Sequence, residues 1–209
     1  MIILRARQRL RRRQSGTDLI SALVAAEEAG GRLTQREIVI TCDLLLIACD
    51  LTTTDLIGNG VLALLNHPDQ LAKLRAHLEL VPNAVEEMLR YDPPVPVRAR
   101  VAVGPVEIGG MQVQAGEVMT ASLLAAGHDP SRHADPHRFN IERADTTHVA
   151  FGGGAHYCVG APLARAEAQI AIPLLFERFP ILRLDPQHAI EHKDVPVFNG
   201  LRALWVRAT

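Results

Sequence analysis

The sequence predicts a mainly α-helical protein with small β-sheets, an α+β chain built on one long central helix and on a cysteine loop followed by another helix. A proline-free stretch runs from a capping signal at Thr34 to His67-Pro68, and a glycine-rich loop carrying Cys158 precedes a second helical stretch. Between them, apolar and polar residues alternate as they do in strands. Of the 209 residues, 48% are hydrophobic and 22% are charged, which is ordinary for a globular protein.

The long helix is predicted from its start and stop signals. Thr34-Gln35-Arg36-Glu37 matches a capping box, in which the Thr and Glu side chains bond each other's backbone amides. The helix can then continue to Asn66, a length of about 50 Å at a rise of about 1.5 Å per residue. After His67-Pro68-Asp69, a second helix is expected over Gln70 to Leu80.

The middle of the chain should contain short strands and one long connection. Apolar positions alternate from Val95 to Val103 and from Val106 to Val118, where Gly109-Gly110 marks a turn. No period appears from Gly127 to Val149, which predicts an irregular connection, and long connections of this kind are usually functional or scaffolded. A closing β pair is expected from the segments 181–184 and 203–206.

The candidate site is the run Phe151-Gly152-Gly153-Gly154-Ala155-His156-Tyr157-Cys158-Val159-Gly160. Glycine lacks Cβ and adopts positive φ, so this loop can bring a thiolate close to a flat ring that carries a metal. The helix after it should begin at Ala161, keep Pro162 in its first turn and end near Arg178. Cys158 would then lie at the positive end of a helix, which favours the thiolate that binds metals.

A second motif places Glu87 and Arg90 at i, i+3 on one face of a helix that Asp92-Pro93-Pro94 ends. Taken alone, such a pair is usually an exposed ion pair worth a few tenths of a kcal/mol. Its occurrence upstream of the cysteine loop favours a different interpretation, in which the two motifs belong to one site.

The spacing of both motifs resembles the cytochrome P450 family. The residues that match the family's haem-binding signature are Phe151, Gly154, His156, Cys158 and Gly160. The Glu-x-x-Arg pair resembles the family's other hallmark, and Asp135 to Arg143 resembles the segment that supplies a third partner, Arg143. The resemblance implies that Glu87 is buried between Arg90 and Arg143 and braces the cysteine loop, since matched and hydrogen-bonded charges tolerate burial.

The resemblance extends to nearly the whole chain and implies haem b as the cofactor, with Cys158 as the axial ligand of its iron. Arg100 and His156 take the places of propionate ligands, because cationic or N–H donors suit carboxylates. The alternatives are that Arg100 is a strand residue facing solvent and that His156 is a loop residue near a backbone acceptor. The other implied cofactor contacts are Phe151, Gly152, Gly160 and Ala48.

The resemblance also implies a monooxygenase, an oxidoreductase that inserts one oxygen atom from O2 into a small apolar organic substrate with electrons from a ferredoxin-like or flavoprotein partner. In the middle of the long helix, the family's glycine position is Cys49 and its acid position is Leu51, while Thr52 is kept. Asp50 is the candidate replacement acid, although one helical step turns a side chain by about 100°. Thr52 could instead bond the carbonyl four residues back.

Family members run to roughly twice the 209 residues of this chain. The sequence is therefore expected to be a single partial cytochrome P450 domain over residues 1–209, without the N-terminal half of the family fold. The alternative function is a truncated, catalytically impaired remnant that acts as a haem-binding or interaction protein. A third hypothesis is a zinc site formed by His148, His156 and Cys158.

Charge and apolar patterning limit the partners. Six basic residues fall in the first thirteen positions, and they are Arg5, Arg7, Arg9, Arg11, Arg12 and Arg13. They read as an exposed helix face rather than as an arm for nucleic acid or an anionic membrane. Cys42, Cys49 and Cys158 show no disulfide framework, which indicates a reducing compartment. The run Ile38 to Cys49 is too short for a membrane span, so a cytoplasmic protein is expected.

Overall fold

The computed structural model describes residues 2–14, 16–30, 33–195 and 197–208. These residues form two compact units, Met1–Leu51 and Thr52–Thr209. The first unit has a small core around Val24, Ile38 and Cys42, and the second has the main hydrophobic core. The predicted long helix, α3, covers Gln35–Asn66 and contributes residues to both units.

The first unit consists of α1 (Ile2–Arg13), α2 (Leu19–Gly30) and the first part of α3. The predicted capping box is present, because the backbone N of Thr34 donates to Oε2 of Glu37 at 2.6 Å and the backbone N of Glu37 donates to Oγ1 of Thr34 at 3.3 Å. On the basic helix α1, Arg11 pairs with Asp18 at 2.5 Å. The predicted basic face also includes the side chains of Arg5 and Arg7, which lie outside the described residues.

The second unit contains the rest of α3 and four further helices. The bounds of these helices are α4 (Pro68–Ala76), α5 (Val81–Tyr91), α6 (Leu123–Gly127) and α7 (Ala161–Arg178). The helix predicted over Gln70 to Leu80 differs in two ways. It begins at Pro68, in whose position a missing N–H costs nothing, and it ends before His77, whose ψ of 77° is not helical. Leu78–Leu80 then forms a separate 3-10 turn.

Within the described residues, the strands form four two-stranded antiparallel sheets. The pairs are β1 (Val97–Val101) with β4 (Val118–Ser122), β2 (Val106–Ile108) with β3 (Met111–Val113), β5 (Arg183–Leu184) with β8 (Val206–Arg207), and β6 (Glu191–His192) with β7 (Leu201–Ala203). Gly109 and Gly110 have φ of 57° and 80°, which builds the tight turn between β2 and β3. The predicted closing pair is wrong in part, since Ala203 belongs to β7 and Val206 to β8.

The main core forms where α3, α5 and α7 meet. A Cβ on Gly60 of α3 would lie 2.6 Å from Sδ of Met88 on α5 and 3.4 Å from Cδ1 of Ile172 on α7, so glycine lets these helices approach closely. The irregular segment 127–149 is anchored in this core by Phe139 and Ile141, which are almost fully buried. Among the helices of the described residues, none is long and apolar enough to cross a membrane.

Gly127 ends α6 against the backbone of α5, where a Cβ would lie 2.4 Å from the carbonyl O of Arg90. We expect Gly127→Ala to lower the free energy of unfolding by about 1–3 kcal/mol, because a backbone atom cannot move aside as a side chain can. Gly104→Ala is the matched control, since its Cβ would meet nothing within 4 Å. Urea denaturation of both variants measures the difference, and equal midpoints would contradict this account.

Candidate functional site

Glu87, Arg90 and Arg143 form a buried ion triad. Oε2 of Glu87 accepts from Nε of Arg90 at 2.7 Å and from Nε of Arg143 at 3.0 Å. Oε1 of Glu87 accepts from Nη2 of Arg90 at 2.9 Å and from the backbone N of Asn140 at 2.8 Å. The side chains of Glu87 and Arg90 are fully buried, and that of Arg143 is 9% exposed. A charge in this position is tolerable because the carboxylate accepts four hydrogen bonds, three of them from guanidiniums.

The other donors of the two guanidiniums hold the irregular segment. They bond the carbonyl oxygens of Gly127 at 2.6 Å, Pro136 at 2.8 Å, Ala134 at 2.6 Å, Asp135 at 3.2 Å and Arg138 at 2.9 Å. These carbonyls all lie in residues 127–143, so the triad clamps a segment with little regular structure of its own. The direct hydrogen bonds of the triad therefore do not reach the cysteine loop, which the sequence analysis had expected it to brace.

The neighbouring carboxylate, Glu86, bonds residues that flank the cysteine loop on both sides. Its Oε1 accepts from Nε of Arg165 at 2.6 Å and its Oε2 accepts from Nη2 of Arg165 at 2.8 Å. Oε2 of Glu86 also lies 3.0 Å from Nε2 of His148. Nδ1 of His148 accepts from the backbone N of Ala150 at 3.1 Å, so Nε2 carries the proton donated to Glu86. Residues 86 and 87 face different neighbours because one helical step turns the side chain by about 100°.

Arg165 extends this network to two residues of the cysteine loop. Its Nη1 donates to the hydroxyl of Tyr157 at 3.2 Å, and its guanidinium carbon lies 4.6 Å from the centre of the Phe151 ring. Burial raises the pKa of Glu86, but the hydrogen bonds from Arg165 and His148 outweigh it and lower that pKa to about 2. The hydrogen bond to Glu86 raises the pKa of Arg165. Spacing along the chain does not predict this contact, because residues 86 and 165 are far apart in sequence.

The cysteine loop is a closed turn in front of α7. The backbone N of Cys158 donates to the carbonyl O of Phe151 at 3.0 Å, and Gly152 and Gly154 have φ of 73° and 64°. Cys158 is exposed and forms no disulfide. A Cβ on Gly160, the N-cap of α7, would lie 3.8 Å from Sγ of Cys158. The thiol thus points away from the packed interior, near the positive end of a helix.

Arg100 and His156 line one open cavity of about 650 Å³. Arg100 lies on β1, opposite Met119 of β4, and its Nη1 donates to the carbonyl of Ala99 at 2.9 Å. Arg98 lines the same cavity, which the sequence analysis missed. The available signal was its spacing, since residues two apart on a strand share a face. The lining of the cavity thus combines Arg98, Arg100 and His156 with apolar residues such as Val97, a set of residue types that fits an apolar ring bearing carboxylates.

The candidate residues of the long helix lie in both units. Ala48 and Asp50 are exposed residues of the first unit, and Thr52 is a half-buried residue at the start of the second. Leu51, at the position where the family has an acid, is 37% exposed. The helix continues through residues 46–55 without a break. The side chain of Asp50 therefore does not point in the same direction as that of Leu51, since only local unwinding of the helix would allow this.

The zinc hypothesis finds no support in the described part of the chain. No group of three or more His, Cys, Asp or Glu side chains that could hold a metal ion occurs there. Both ring nitrogens of His148 are already engaged, one by Glu86 and one by the backbone of Ala150. His148 is therefore part of the scaffold of the loop.

Comparison with known proteins identifies the class of protein that this fold and loop define. The family model for cytochrome P450 matches residues 1–200. The cytochrome P450 monooxygenase PikC of Streptomyces venezuelae is 48% identical over 201 residues, which are 94% of this chain and 48% of that protein. The biotin biosynthesis cytochrome P450 of Bacillus subtilis is 45% identical over 194 residues, 93% of this chain and 48% of that protein. The chain belongs to the cytochrome P450 family.

Solved structures of cytochromes P450 also have a fold similar to that of this chain. P450BioI in complex with an acyl carrier protein ligated to hexadec-9Z-enoic acid has a TM-score of 0.93 and 41% identity, covering 99% of this chain and 52% of that one. The tirandamycin C-bound monooxygenase TamI has a TM-score of 0.93 and 39% identity, covering 100% of this chain and 53% of that one. The predicted fold class is confirmed, and the chain spans about half the length of the curated relatives it matches.

The triad makes the following prediction. Glu87→Gln should lower the free energy of unfolding of the second unit by about 3–5 kcal/mol, because it leaves two buried guanidiniums without their countercharge. Glu142→Gln is the control, since Glu142 forms an exposed pair with Lys73 and its loss should change stability by less than about 1 kcal/mol. Urea titrations monitored by circular dichroism measure both values. If both variants lose the same free energy of unfolding, the buried ion triad does not stabilise the fold more than an exposed ion pair does.

The lowered pKa of Glu86 predicts a pH dependence of stability. A carboxyl whose folded pKa lies below its unfolded value stabilises the fold above the unfolded pKa and loses that contribution as the pH falls through the folded one. The stability difference between the wild type and Glu86→Gln should thus be constant above pH 4.5 and shrink as the pH falls toward about 2. Urea titrations at a series of pH values test this. A difference that does not change with pH would show that the ion pair contributes no charge-dependent stability.

Proposed function

We propose that this chain carries the metal-ligand half of a haem-thiolate monooxygenase, with residues 1–209 forming part of a single cytochrome P450 domain. The observation that carries the proposal is the exposed position of Cys158 on its loop. The backbone N of Cys158 bonds the carbonyl of Phe151, and Gly152 and Gly154 adopt positive φ, so no bulky residue occupies these turns. A thiolate on such a loop can reach a metal in a macrocycle without a backbone collision.

In this proposal the chain's residues divide the tasks of holding haem b. Cys158 would ligate the iron through its thiolate, a form that the nearby start of α7 favours. Arg100 and His156 bind the propionates, and their convergence on one cavity supports this assignment. Gly152 and Gly160 have no side chain and leave room around the ligand, and Phe151 is a candidate contact of the cofactor. For Ala48, contact with haem stays a prediction of the resemblance.

Haem held by a thiolate would supply the chemistry of dioxygen cleavage, in which one oxygen atom is inserted into the substrate and the other is released as water. The two electrons come from a ferredoxin-like or flavoprotein partner, and the two protons pass through the protein. We propose that Thr52 and Asp50 manage these protons. Thr52 is the candidate that holds a water hydrogen bond, while Asp50, on the exposed side of α3, is the candidate that exchanges a proton with solvent. The substrate is a small apolar organic molecule.

A second candidate function is a haem-binding or interaction protein with impaired turnover. Leu51 cannot carry a proton, and the continuous α3 does not turn Asp50 into its place. Helix α7 also presents an apolar stripe, since Leu163, Ile170 and Leu174 are 52%, 60% and 55% exposed at helical spacing. Exposed apolar faces of this kind are typical of surfaces that bind a partner.

The absorption spectrum of the purified protein, supplied with haem, reduced and exposed to carbon monoxide, tests the proposal. The wild type should show the shifted Soret band of a thiolate ligand, and Cys158→Ala should lose it, because the substitution removes the proposed ligand. Cys49→Ala, which removes a half-buried thiol from the long helix, should keep the band. Absence of haem uptake by the wild type would overturn the proposal. Haem binding without substrate oxidation, even with peroxide, would favour the second candidate.

A further inference from the structure

Two adjacent carboxylates on α5 serve different segments, and only Glu86 bonds the residues that flank the cysteine loop. All the hydrogen bonds of Glu87 go to Arg90, Arg143 and the backbone of Asn140. All those of Glu86 go to His148 and Arg165. His148 precedes the loop and Arg165 follows it on α7, so Glu86 ties together the two ends of the segment that carries Cys158.

The network continues from Arg165 to the residues that flank the thiol. Arg165 donates to the Tyr157 hydroxyl at 3.2 Å, and its guanidinium covers the ring of Phe151 at 4.6 Å. Phe151 also lies 5.9 Å from the ring of His148 and 6.3 Å from that of Tyr157. The carbonyl of Phe151 accepts from the backbone N of Cys158. The guanidinium of Arg165 therefore holds Tyr157, which precedes Cys158. It also holds Phe151, whose carbonyl bonds the backbone of Cys158.

We propose that Glu86 is the positioning residue of the cysteine loop, acting through Arg165 and His148 on Phe151 and Tyr157, while Glu87 holds residues 127–143. The bidentate contact with Arg165 fixes the direction of that guanidinium as well as its charge. A single carboxylate thus sets the orientation of the thiol. The inference deepens the proposed function and rests on it for the identity of the metal that Cys158 would bind.

Three substitutions separate the parts of this network. Glu86→Gln replaces one oxygen by an amide nitrogen, which faces a donor from Arg165 or His148 and cannot accept from it. Arg165→Lys keeps the charge but loses the planar fork. Tyr157→Phe removes only the hydroxyl that Arg165 bonds. Glu87→Gln is the matched comparison, because it changes the neighbouring carboxylate whose partners lie elsewhere.

Hydrogen exchange of the full chain tests the positioning role without haem. The amides of Tyr157 and Cys158 donate to Gly154 and Phe151 of the loop, and the amide of Gly152 donates to Val149 just before it. In Glu86→Gln and Arg165→Lys they should exchange about tenfold faster or more, as expected for the loss of a charge-assisted hydrogen bond. The amides of Arg138 and Arg143 should be unchanged in these variants and faster in Glu87→Gln. Unchanged loop exchange in Glu86→Gln, or equal acceleration of both segments, would overturn the proposal.

Haem binding gives the second measurement. Glu86→Gln and Arg165→Lys should lower haem affinity by about tenfold or more, the usual effect of removing a residue that orients a metal ligand. Both should also lower the fraction of protein with the thiolate-type Soret band after reduction and exposure to carbon monoxide, and Tyr157→Phe should do so less. If these variants bind haem and give that band as the wild type does, Glu86 does not position the thiol. Should the wild type take up no haem, the proposed function fails, and the exchange of the loop amides still decides the role of Glu86.

Discussion

Helix α5 presents two carboxylates side by side, and the arrangement of the second unit depends on how each of them is neutralised. Burying a carboxylate is costly unless its charge and its lone pairs are all matched. Glu87 meets this requirement with four hydrogen bonds from Arg90, Arg143 and Asn140, and the spare donors of the two arginines collect the carbonyls of residues 127–143. A long segment without regular structure thereby obtains a fixed path over the core.

The same physical requirement at Glu86 has a different consequence, because its partners flank the candidate ligand. Arg165 neutralises Glu86, to which His148 donates a hydrogen bond, and Arg165 also contacts Tyr157 and Phe151 of the cysteine loop. Arg98, Arg100 and His156 line one cavity. The part of the chain that would hold haem is thus well defined, whereas the long helix carries Leu51 where the cytochrome P450 family has an acid.

Local signals in the sequence were sufficient for the elements whose ends have their own chemistry. The capping box at Thr34 and the stop at His67-Pro68 predicted α3 closely, and Gly160-Ala161-Pro162 predicted the start of α7. Helix α6 was missed, because its five residues are too few to show a period. The break at His77 was missed as well, since the backbone leaves helical geometry there without a Gly or Pro to mark it.

The sequence by itself determined the family, the glycine-built loop around Cys158 and the partnership of Glu87 with Arg90, because these depend on residue types at short, fixed spacing. Only the tertiary structure decided which of two adjacent carboxylates holds the cysteine loop, and that Arg98 joins Arg100 and His156 at one cavity. The physical reason is that the partner of a charge is chosen by the packing of helices and loops. Glu86 and Arg165 meet because α5 and α7 pack together, and no spacing along the chain records that contact.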